Sequence, residues 1–274
     1  MDAYTLNIYK QGKVKLDILL NNYCNLNCSA CMFGTNTNKI PKQVYDLDQF
    51  KKDIDYLSQF KDVMAEFNFL GGEPTLNKDL VTYLNIVHDT FPKAQLNIIT
   101  NGIKLAQNQQ LLKIIKDLDI KVLLSIYPKT MKMGLALRTL FNSLGIKHGA
   151  VIAKHSKELK TVWSAPLTST VPINKEDLKT LKYNCSYGCL AIWNGKFIAC
   201  GIQFSIPMRN AVFGTNYKEE EGLPIESIKT NEDLIELQAS KWIPEICKYC
   251  YPGTGEIVWI PHTTNSINKK DYIL

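Results

Sequence analysis

The stretch Cys24-Asn25-Leu26-Asn27-Cys28-Ser29-Ala30-Cys31 places three cysteines in a C-x3-C-x2-C pattern directly after an apolar run. That run, VKLDILLNN over residues 14–22, has the length and branched aliphatic content of a buried strand, so the cysteines lie on the loop that leaves it. Thiolates this close in sequence can converge on one metal centre. Three ligands leave a fourth position open, for water on a zinc ion or for a substrate or cofactor on one iron of a four-iron cluster.

The composition bounds the class of protein. The 274 residues are 45% hydrophobic and 21% charged, which is typical of a globular chain with one large domain and a smaller one or an extension. No apolar run reaches the length of a membrane span and no signal-peptide pattern is present, so we expect a cytoplasmic protein without a membrane partner. The formal net charge of +6 comes without a dense basic block, so nucleic acid is not an expected partner.

The eight cysteines fall into groups. After the first three come Cys185, Cys189 and Cys200, followed by Cys247 and Cys250. In a reducing compartment, grouped cysteines are more typical of reduced metal ligands than of disulfides.

Strand-like runs alternate with helix-period runs from residue 14 to residue 153. Strands are predicted at residues 14–22, 66–70, 95–100, 121–127 and 147–153, and helices are predicted from Asp46 (with Gln49 as in a capping box), from Asn77, at 107–118 and at 130–144. This alternation with short connections predicts a parallel sheet that is closed or partly closed on itself. In such a fold the active site lies where the C-terminal strand ends gather their loops.

The predicted strand ends carry the unusual residues. The second strand ends in Gly71-Gly72-Glu73-Pro74, the third in Thr100-Asn101-Gly102, and the fourth carries Ser125 and Tyr127. Two glycines let a ligand approach the backbone closely, and Glu73 or a backbone carbonyl can accept a hydrogen bond from an ammonium group. Asn101 and Ser125 offer amide and hydroxyl groups suited to a ribose or a carboxylate.

The cysteine loop and the Gly71–Pro74 segment together resemble the radical S-adenosylmethionine (SAM) superfamily, over residues 14–155. The resemblance implies an α/β fold, a partial (β/α)6 TIM barrel. It also implies a [4Fe-4S] cluster on Cys24, Cys28 and Cys31, whose fourth iron binds SAM. By the same match, Gly71, Gly72 and Glu73 bind the methionine amino group, and Ser125 takes a ribose or carboxylate contact. The family often has a large or aromatic residue before the third cysteine, where this chain has Ala30, so Phe33 is the expected substitute for stacking on the adenine.

The resemblance also implies a mechanism. An electron from the reduced cluster breaks the S–C5′ bond of SAM, and the 5′-deoxyadenosyl radical removes a hydrogen atom from an unactivated C–H bond. A flavodoxin or a ferredoxin-type reductant is expected to supply the electron.

The C-terminal third needs a separate interpretation. The segment LAIWNGKF, residues 190–197, predicts a β-hairpin with a tight turn at Asn194-Gly195. Such a hairpin brings the cysteine before it close to the one that ends its second strand. The arrangement resembles the front half of the SPASM extension, known as a twitch domain when the later cysteines are absent. We therefore assign residues 1–170 to the radical SAM barrel and residues 171–274 to a small α+β twitch domain.

The twitch resemblance implies a second, auxiliary [4Fe-4S] cluster with Cys185, Cys200, Cys247 and Cys250 as ligands, which leaves Cys189 outside the ligand set. On spacing alone, a structural zinc ribbon is a rival for these four cysteines, and structural zinc also competes for the first three. Cys189 fits either a buried small apolar residue or a reactive thiol. Arg209 fits a solvated residue better than a bidentate anion ligand.

Three enzymatic hypotheses follow. The first is a dehydrogenase that oxidises an alcohol of a small sugar, cyclitol or related metabolite to a ketone and passes the second electron to the auxiliary cluster. The second is an epimerase in which Cys189 is the catalytic hydrogen donor. The third is a SPASM-type peptide maturase. The segment before Val14 argues against it, because it is too short for a peptide-recognition domain. A zinc-binding protein without enzymatic activity is the alternative from a different class.

Overall fold

The computed structural model describes residues 3–26, 28, 31–35, 38–152, 154–155, 161–164, 167–168, 172, 190–219, 222–238, 244–251 and 256–258. The helices are α1 (Ala3–Lys10), α2 (Leu47–Leu57), α3 (Leu80–Thr90), α4 (Gln109–Asp117), α5 (Met131–Leu144), α6 (Gly201–Phe204), α7 (Ile206–Phe213) and α8 (Asn231–Gln238). The barrel strands are β1 (Val14–Leu19), β2 (Met64–Leu70), β3 (Gln95–Thr100), β4 (Lys121–Ile126) and β5 (His148–Ile152). The later strands are β6 (Lys154–His155), β7 (Thr161–Ser164), β8 (Leu167–Thr168), β9 (Ala191–Trp193), β10 (Lys196–Ile198), β11 (Leu223–Pro224), β12 (Cys250–Tyr251) and β13 (Glu256–Val258). Within these ranges, no helix has both the length and the apolar character needed to cross a membrane.

The strands β1 to β5 lie side by side in chain order, and each pair runs parallel. On the other side of β1, β9 pairs in parallel, and β10 and β11 continue the sheet antiparallel. The described strands at the two ends of this sheet, β11 and β5, do not pair with each other, so the barrel is open. The predicted partial barrel is confirmed. The small strands form two further sheets, β12 with β8 and β13 with β7 and β6.

The predicted hairpin forms β9 and β10, with Asn194 and Gly195 at φ values of 43° and 82° in its turn. Positive φ at both turn residues is the geometry that favours an Asn-Gly pair. Sequence alone assigned the hairpin to a separate C-terminal unit. The structure shows that it extends the barrel sheet through pairing of Ile18 with Ile192.

The two faces of the barrel sheet bury different chemistry. Leu16 and Ile18 belong to the main apolar core, together with Phe50 of α2. Side chains alternate along a strand, so Asp17 lies on the opposite face. There Asn68 Nδ2 donates to Asp17 Oδ1 at 2.8 Å, and Asn97 Nδ2 donates to Asn68 Oδ1 at 2.8 Å. Polar bonding across three neighbouring strands therefore ties β1, β2 and β3 together.

The N-terminus of α2 holds the hairpin in place. Asp46 caps the helix as predicted, since its Oδ1 accepts a hydrogen bond from Gln49 N at 2.8 Å. The Gln49 side chain does not complete the capping box, because its Nε2 donates to Asp53 Oδ1 at 2.8 Å. Instead, the backbone N–H of Asp46 donates to Asn194 Oδ1 of the hairpin at 2.9 Å. The sequence motif caps the helix, while a distant turn supplies the second half of the cap.

Asp53 is the buried centre of this junction. Its carboxylate is 4% exposed and accepts hydrogen bonds from the Tyr45 hydroxyl, from Gln49 Nε2 and, at 2.8 Å, from Gly195 N. The Tyr45 ring also packs against Trp193, with 5.6 Å between the ring centroids. The hairpin is therefore anchored to the barrel by a buried carboxylate as well as by strand pairing.

We expect Asp53→Ala to lower the free energy of unfolding by about 2 kcal/mol or more, because it leaves the buried donors of Tyr45 and Gly195 without their acceptor. Urea unfolding gives the magnitude, and hydrogen exchange across residues 190–198 shows whether the loss is centred on the hairpin. Asp55→Ala, at an exposed position of the same helix, is the matched control and should change stability by less than about 0.5 kcal/mol. Equal exchange rates in the hairpin of both variants would contradict the anchoring role.

Candidate functional site

The three N-terminal cysteines lie together at the C-terminal edge of the sheet. Cys28 is buried beside Leu26, and Cys24 and Cys31 pack against the same small apolar cluster. Ile103 and Tyr127, from the connections after β3 and β4, complete it. The parallel topology thus brings residues from three different strand exits to the thiols, as the sequence predicted.

The Tyr127 hydroxyl interacts electrostatically with all three cysteines. Burial raises the pKa of this hydroxyl well above its ordinary value, and electrostatic interaction with Cys28, Cys31 and Cys24 raises it further, in that order. A hydrogen bond from Ser125 opposes these effects. Sequence reasoning placed Tyr127 at a strand end without a role and assigned Ser125 to a cofactor contact. The structure puts Ser125 on β4 and joins its side chain to that of Tyr127.

Cys24 is partly buried and lies near two N–H donors. Its Sγ lies 3.3 Å from Leu26 N and 3.7 Å from Asn101 Nδ2, and it also contacts Asn25 Oδ1 at 3.8 Å. Burial raises the pKa of the Cys24 thiol to about 12, with smaller increases from Cys31 and Glu73 and a decrease from the Leu26 N–H.

The glycine pair after β2 is required by contact with the cysteine loop's own backbone. A Cβ atom on Gly71, which has φ of +141°, would lie 2.5 Å from Asn21 O, and one on Gly72 would lie 2.0 Å from Tyr23 O. Gly72 N donates to Asn21 O at 2.7 Å, and Glu73 N donates to Tyr23 O at 2.9 Å. The chain that leads into Cys24 therefore occupies the positions where side chains of these two residues would lie, and the predicted approach of a ligand to their backbone stays a prediction.

Glu73 links two strand exits from a buried position, since its side chain is 1% exposed. Its Oε1 accepts from Thr75 N at 3.1 Å and from the hydroxyls of Thr75 and Thr100 at 2.6 Å each, while Oε2 accepts from Asn101 N at 2.8 Å. Burial raises the pKa of Glu73 above its ordinary value, against the lowering effect of these donors. The carboxylate is thus used to join the loops after β2 and β3, and its predicted contact with a methionine amino group stays a prediction.

Phe33 lies between the cysteine loop and the segment that follows the hairpin. Its ring meets Phe204 edge-on, at 6.3 Å between centroids, and a Cβ on Gly201 would lie 2.8 Å from Phe33 Cε1. Phe33 also joins the apolar layer formed by Leu19 and Leu70 at the strand ends. The aromatic ring predicted to stack on adenine therefore packs on α6, and the stacking itself is untested.

Two of the later cysteines share one apolar cluster with the cysteine loop. Cys200, at the N-terminus of α6, and Cys250 both pack against Ile202 and its buried neighbours, as does Met32. Cys247 lies three residues before Cys250, in a 3₁₀ turn at Glu245–Tyr249. Cys185, Cys189 and the predicted domain boundary at 170/171 lie outside the described residues. The structure therefore brings Cys200 and Cys250, two of the four predicted auxiliary ligands, to one cluster of apolar side chains. Binding of iron at that place stays a prediction.

Arg209 is a residue that sequence reasoning placed wrongly. It was expected to be solvated, but it lies within α7 with 1% of its surface exposed. Its Nε donates to Ser205 Oγ at 3.0 Å. A Cβ on Gly34, in the cysteine loop, would lie 2.7 Å from Met208 Cε. The helix is thus packed onto the cysteine loop, and no local signal in the sequence predicted that burial.

The residues at the first site fit an iron–sulfur cluster. Cysteine ligands bind as thiolates, which N–H donors such as those of Leu26 and Asn101 stabilise. The apolar side chains of Leu26 and Ile103 limit access of water to the thiols. In the part of the chain that the structure describes, no three His, Cys, Asp or Glu side chains are grouped as ligands of one metal ion.

Comparison with known families agrees with this geometry. The family model of the radical SAM superfamily matches residues 18–132, which span β1 to the start of α5. An uncharacterized protein of Methanocaldococcus jannaschii is 32% identical over 116 residues, which cover 42% of this chain and 39% of that protein. The chain spans less than half the length of the curated relatives it matches.

Two solved structures resemble the chain over most of its length. BtrN, in complex with AdoMet and 2-DOIA, superposes with a TM-score of 0.54 at 16% identity, covering 96% of this chain and 98% of that one. The protein anSMEcpe, with bound AdoMet and the Cp18Cys peptide, has a TM-score of 0.51 at 15% identity, with 89% of each chain covered. At these identities the similarity shows a shared fold.

Proposed function

We propose that this chain, whose residues 18–132 match the family model of the radical SAM superfamily, is an enzyme that uses a [4Fe-4S] cluster and SAM to abstract hydrogen from a small polar substrate. The observation that carries this proposal is the gathering of Cys24, Cys28 and Cys31 around Tyr127. The cluster, once bound with SAM, would supply the electron that releases a 5′-deoxyadenosyl radical.

The chain's own residues have separable tasks in this proposal. Cys24, Cys28 and Cys31 hold the cluster, and the Leu26 N–H supports the charge on the Cys24 sulfur. Ile103 and Tyr127 cover the thiols and limit access of water. Gly71, Gly72 and Glu73 hold the cysteine loop against the neighbouring strand exits, and we keep their predicted contact with SAM as part of the proposal.

Oxidation of an alcohol is the reaction we propose, with an auxiliary [4Fe-4S] cluster on Cys185, Cys200, Cys247 and Cys250 as acceptor of the second electron. Cys200 and Cys250 pack against the same apolar side chains as Met32 of the cysteine loop, which supports an auxiliary site close to that loop. The similarity in fold to BtrN extends over nearly the whole length of both chains. BtrN was solved with AdoMet and 2-DOIA, which supports a small substrate. A flavodoxin or a ferredoxin-type protein is the proposed electron donor.

Two other reactions stay open within the same chemistry. An epimerase would use Cys189 as hydrogen donor to the opposite face of the substrate radical. A peptide maturase is the second alternative, and the similarity in fold to anSMEcpe, which was solved with a bound peptide, supports it. A non-enzymatic zinc protein is the alternative outside this class.

Anaerobic reconstitution tests the cluster assignment. We expect about eight irons per chain and formation of 5′-deoxyadenosine from SAM in the presence of dithionite. Cys28→Ala should lose about four irons and lower 5′-deoxyadenosine formation to background, because the cluster loses a ligand. Cys189→Ala, outside both proposed ligand sets, is the control and should keep both. A wild-type protein that binds zinc and no iron would disprove the proposed function.

Turnover in deuterated water separates the reactions. A ketone product without solvent deuterium supports the dehydrogenase, and its yield should fall when Cys200 or Cys250 is replaced. Deuterium retained at the reacting carbon, and lost in Cys189→Ala, supports the epimerase instead. Substrates are found by scoring candidate sugars, cyclitols and peptides for stimulation of 5′-deoxyadenosine formation.

A further inference from the structure

The Asn101 side chain joins the exit of β3 to the sulfur of Cys24. Its Nδ2 donates to Asn25 Oδ1 at 2.8 Å and approaches Cys24 Sγ at 3.7 Å. Its Oδ1 accepts from Ile103 N at 3.0 Å, and its own backbone N–H donates to Glu73 Oε2 at 2.8 Å. Asn101 is 6% exposed, so its bond to Glu73 is buried, while its contacts with Cys24 and Asn25 are partly buried.

These contacts determine which end of the amide faces the sulfur. Only the oxygen of the Asn101 amide can accept a hydrogen bond from Ile103 N–H, so Oδ1 must point to Ile103. The nitrogen then points to Cys24 and Asn25, where both acceptors suit an NH₂ group. The backbone bond to Glu73 fixes the position from which the side chain extends.

Two of the contacts at Cys24 suit the thiolate that a metal-bound cysteine presents. A neutral thiol can donate to Asn25 Oδ1, but a thiolate has no proton to give and needs donors of its own. Leu26 N–H and Asn101 Nδ2–H are the donors directed at this sulfur. Hydrogen bonds to ligand sulfurs stabilise the more negative, reduced form of an iron–sulfur cluster and raise its reduction potential.

We propose that Asn101 is a positioning residue that donates an N–H···S hydrogen bond to the Cys24 ligand and thereby raises the reduction potential of the radical SAM cluster. This role rests on the proposed function, because it requires a cluster on Cys24. It differs from the ribose or carboxylate contact that the sequence suggested, since both amide hydrogens of Asn101 are directed at acceptors within the protein.

The test is the midpoint potential of the reconstituted protein, measured by EPR at a series of poised potentials. Asn101→Asp keeps the shape of the side chain and its acceptor for Ile103 N but replaces the donor by an oxygen. We expect the reduced-to-oxidised ratio at a fixed potential to fall at least tenfold, a negative shift of about 59 mV for one electron. Asn108→Asp makes the same change of charge at the cap of α4, where Oδ1 accepts from Leu111 N, and should leave the potential unchanged.

Asn101→Ser provides a second, uncharged variant. Its hydroxyl can still accept from Ile103 N but is too short to reach Cys24, so a smaller negative shift is expected. An unchanged potential in both Asn101 variants would overturn the proposal, and so would loss of the cluster from both while Asn108→Asp retains it. A wild-type protein without any cluster would instead count against the proposed function, so the two failures are distinguishable.

Discussion

Gly72→Ala is expected to lower the free energy of unfolding by about 4 kcal/mol or more and to prevent stable binding of the first cluster. The added Cβ would lie 2.0 Å from Tyr23 O, 2.4 Å from Tyr23 C and 2.8 Å from Tyr23 N. All three are backbone atoms, so no side-chain rotation relieves the overlap. Relief requires the chain that leads into Cys24 to move away from the β2 exit, which breaks the hydrogen bonds of Gly72 N and Glu73 N to it.

Urea unfolding followed by circular dichroism gives the stability, and iron content after reconstitution gives the cluster occupancy. Gly145→Ala is the matched control, because Gly145 has φ of +68° and, apart from its chain neighbours, none of the described residues has a heavy atom within 4 Å of the added Cβ. Its cost should be limited to the backbone conformation, about 1 kcal/mol, with full cluster content. If Gly72→Ala destabilises the protein no more than Gly145→Ala, the close contact with Tyr23 does not hold the cysteine loop.

Glu73→Gln is expected to lower the free energy of unfolding by about 1–3 kcal/mol. A carboxylate accepts at both oxygens, whereas an amide accepts at one, and the N–H groups of Thr75 and Asn101 are donors that cannot reorient. With the amide oxygen at the Oε1 position, its NH₂ group faces Asn101 N–H. The loss should therefore appear at the junction with β3, as faster hydrogen exchange at Asn101.

Glu226→Gln, at an exposed position, is the control for this charge change and should be within about 0.5 kcal/mol of wild type. The pH dependence gives a second readout. Because the pKa of Glu73 is raised in the folded state, its contribution is greatest below the unfolded value and falls as pH rises through the folded pKa. The stability advantage of wild type over Glu73→Gln should therefore be larger at acidic than at neutral pH. An advantage that grows with pH would contradict the raised pKa.

The barrel could be predicted because its signals are local. The periodicity of apolar residues located β1 to β5 and their helices, and β3 begins and ends where the sequence placed it, at Gln95–Thr100. The cap at Asp46 and the turn at Asn194-Gly195 follow from backbone conformations that those residues favour. The junction between these two turns was not predictable, because the contact of Asp46 N with Asn194 Oδ1 joins positions 148 residues apart.

The candidate site divides in the same way. The spacing of Cys24, Cys28 and Cys31 and the Gly71-Gly72-Glu73 segment carried the resemblance to the radical SAM superfamily, whose family model matches residues 18–132, and indicated the strand ends where the site lies. Those residue types did not reveal their contacts. The fold uses the glycines and Glu73 to hold the chain before Cys24 and the exit of β3, contacts that the sequence did not predict, and their contact with a ligand stays a prediction.

By itself, the sequence determined that this chain forms a parallel α/β barrel with three thiols at the end of its first strand, because strand periodicity and cysteine spacing are properties of neighbouring residues. Only the tertiary structure decided what surrounds those thiols. Asn101 and Tyr127 reach the cysteine loop because parallel strands end at the same edge of the sheet, which brings residues about 75–100 positions apart into contact. No short-range pattern encodes such contacts, so the N–H···S bond from Asn101 to Cys24 could be found only from the folded chain.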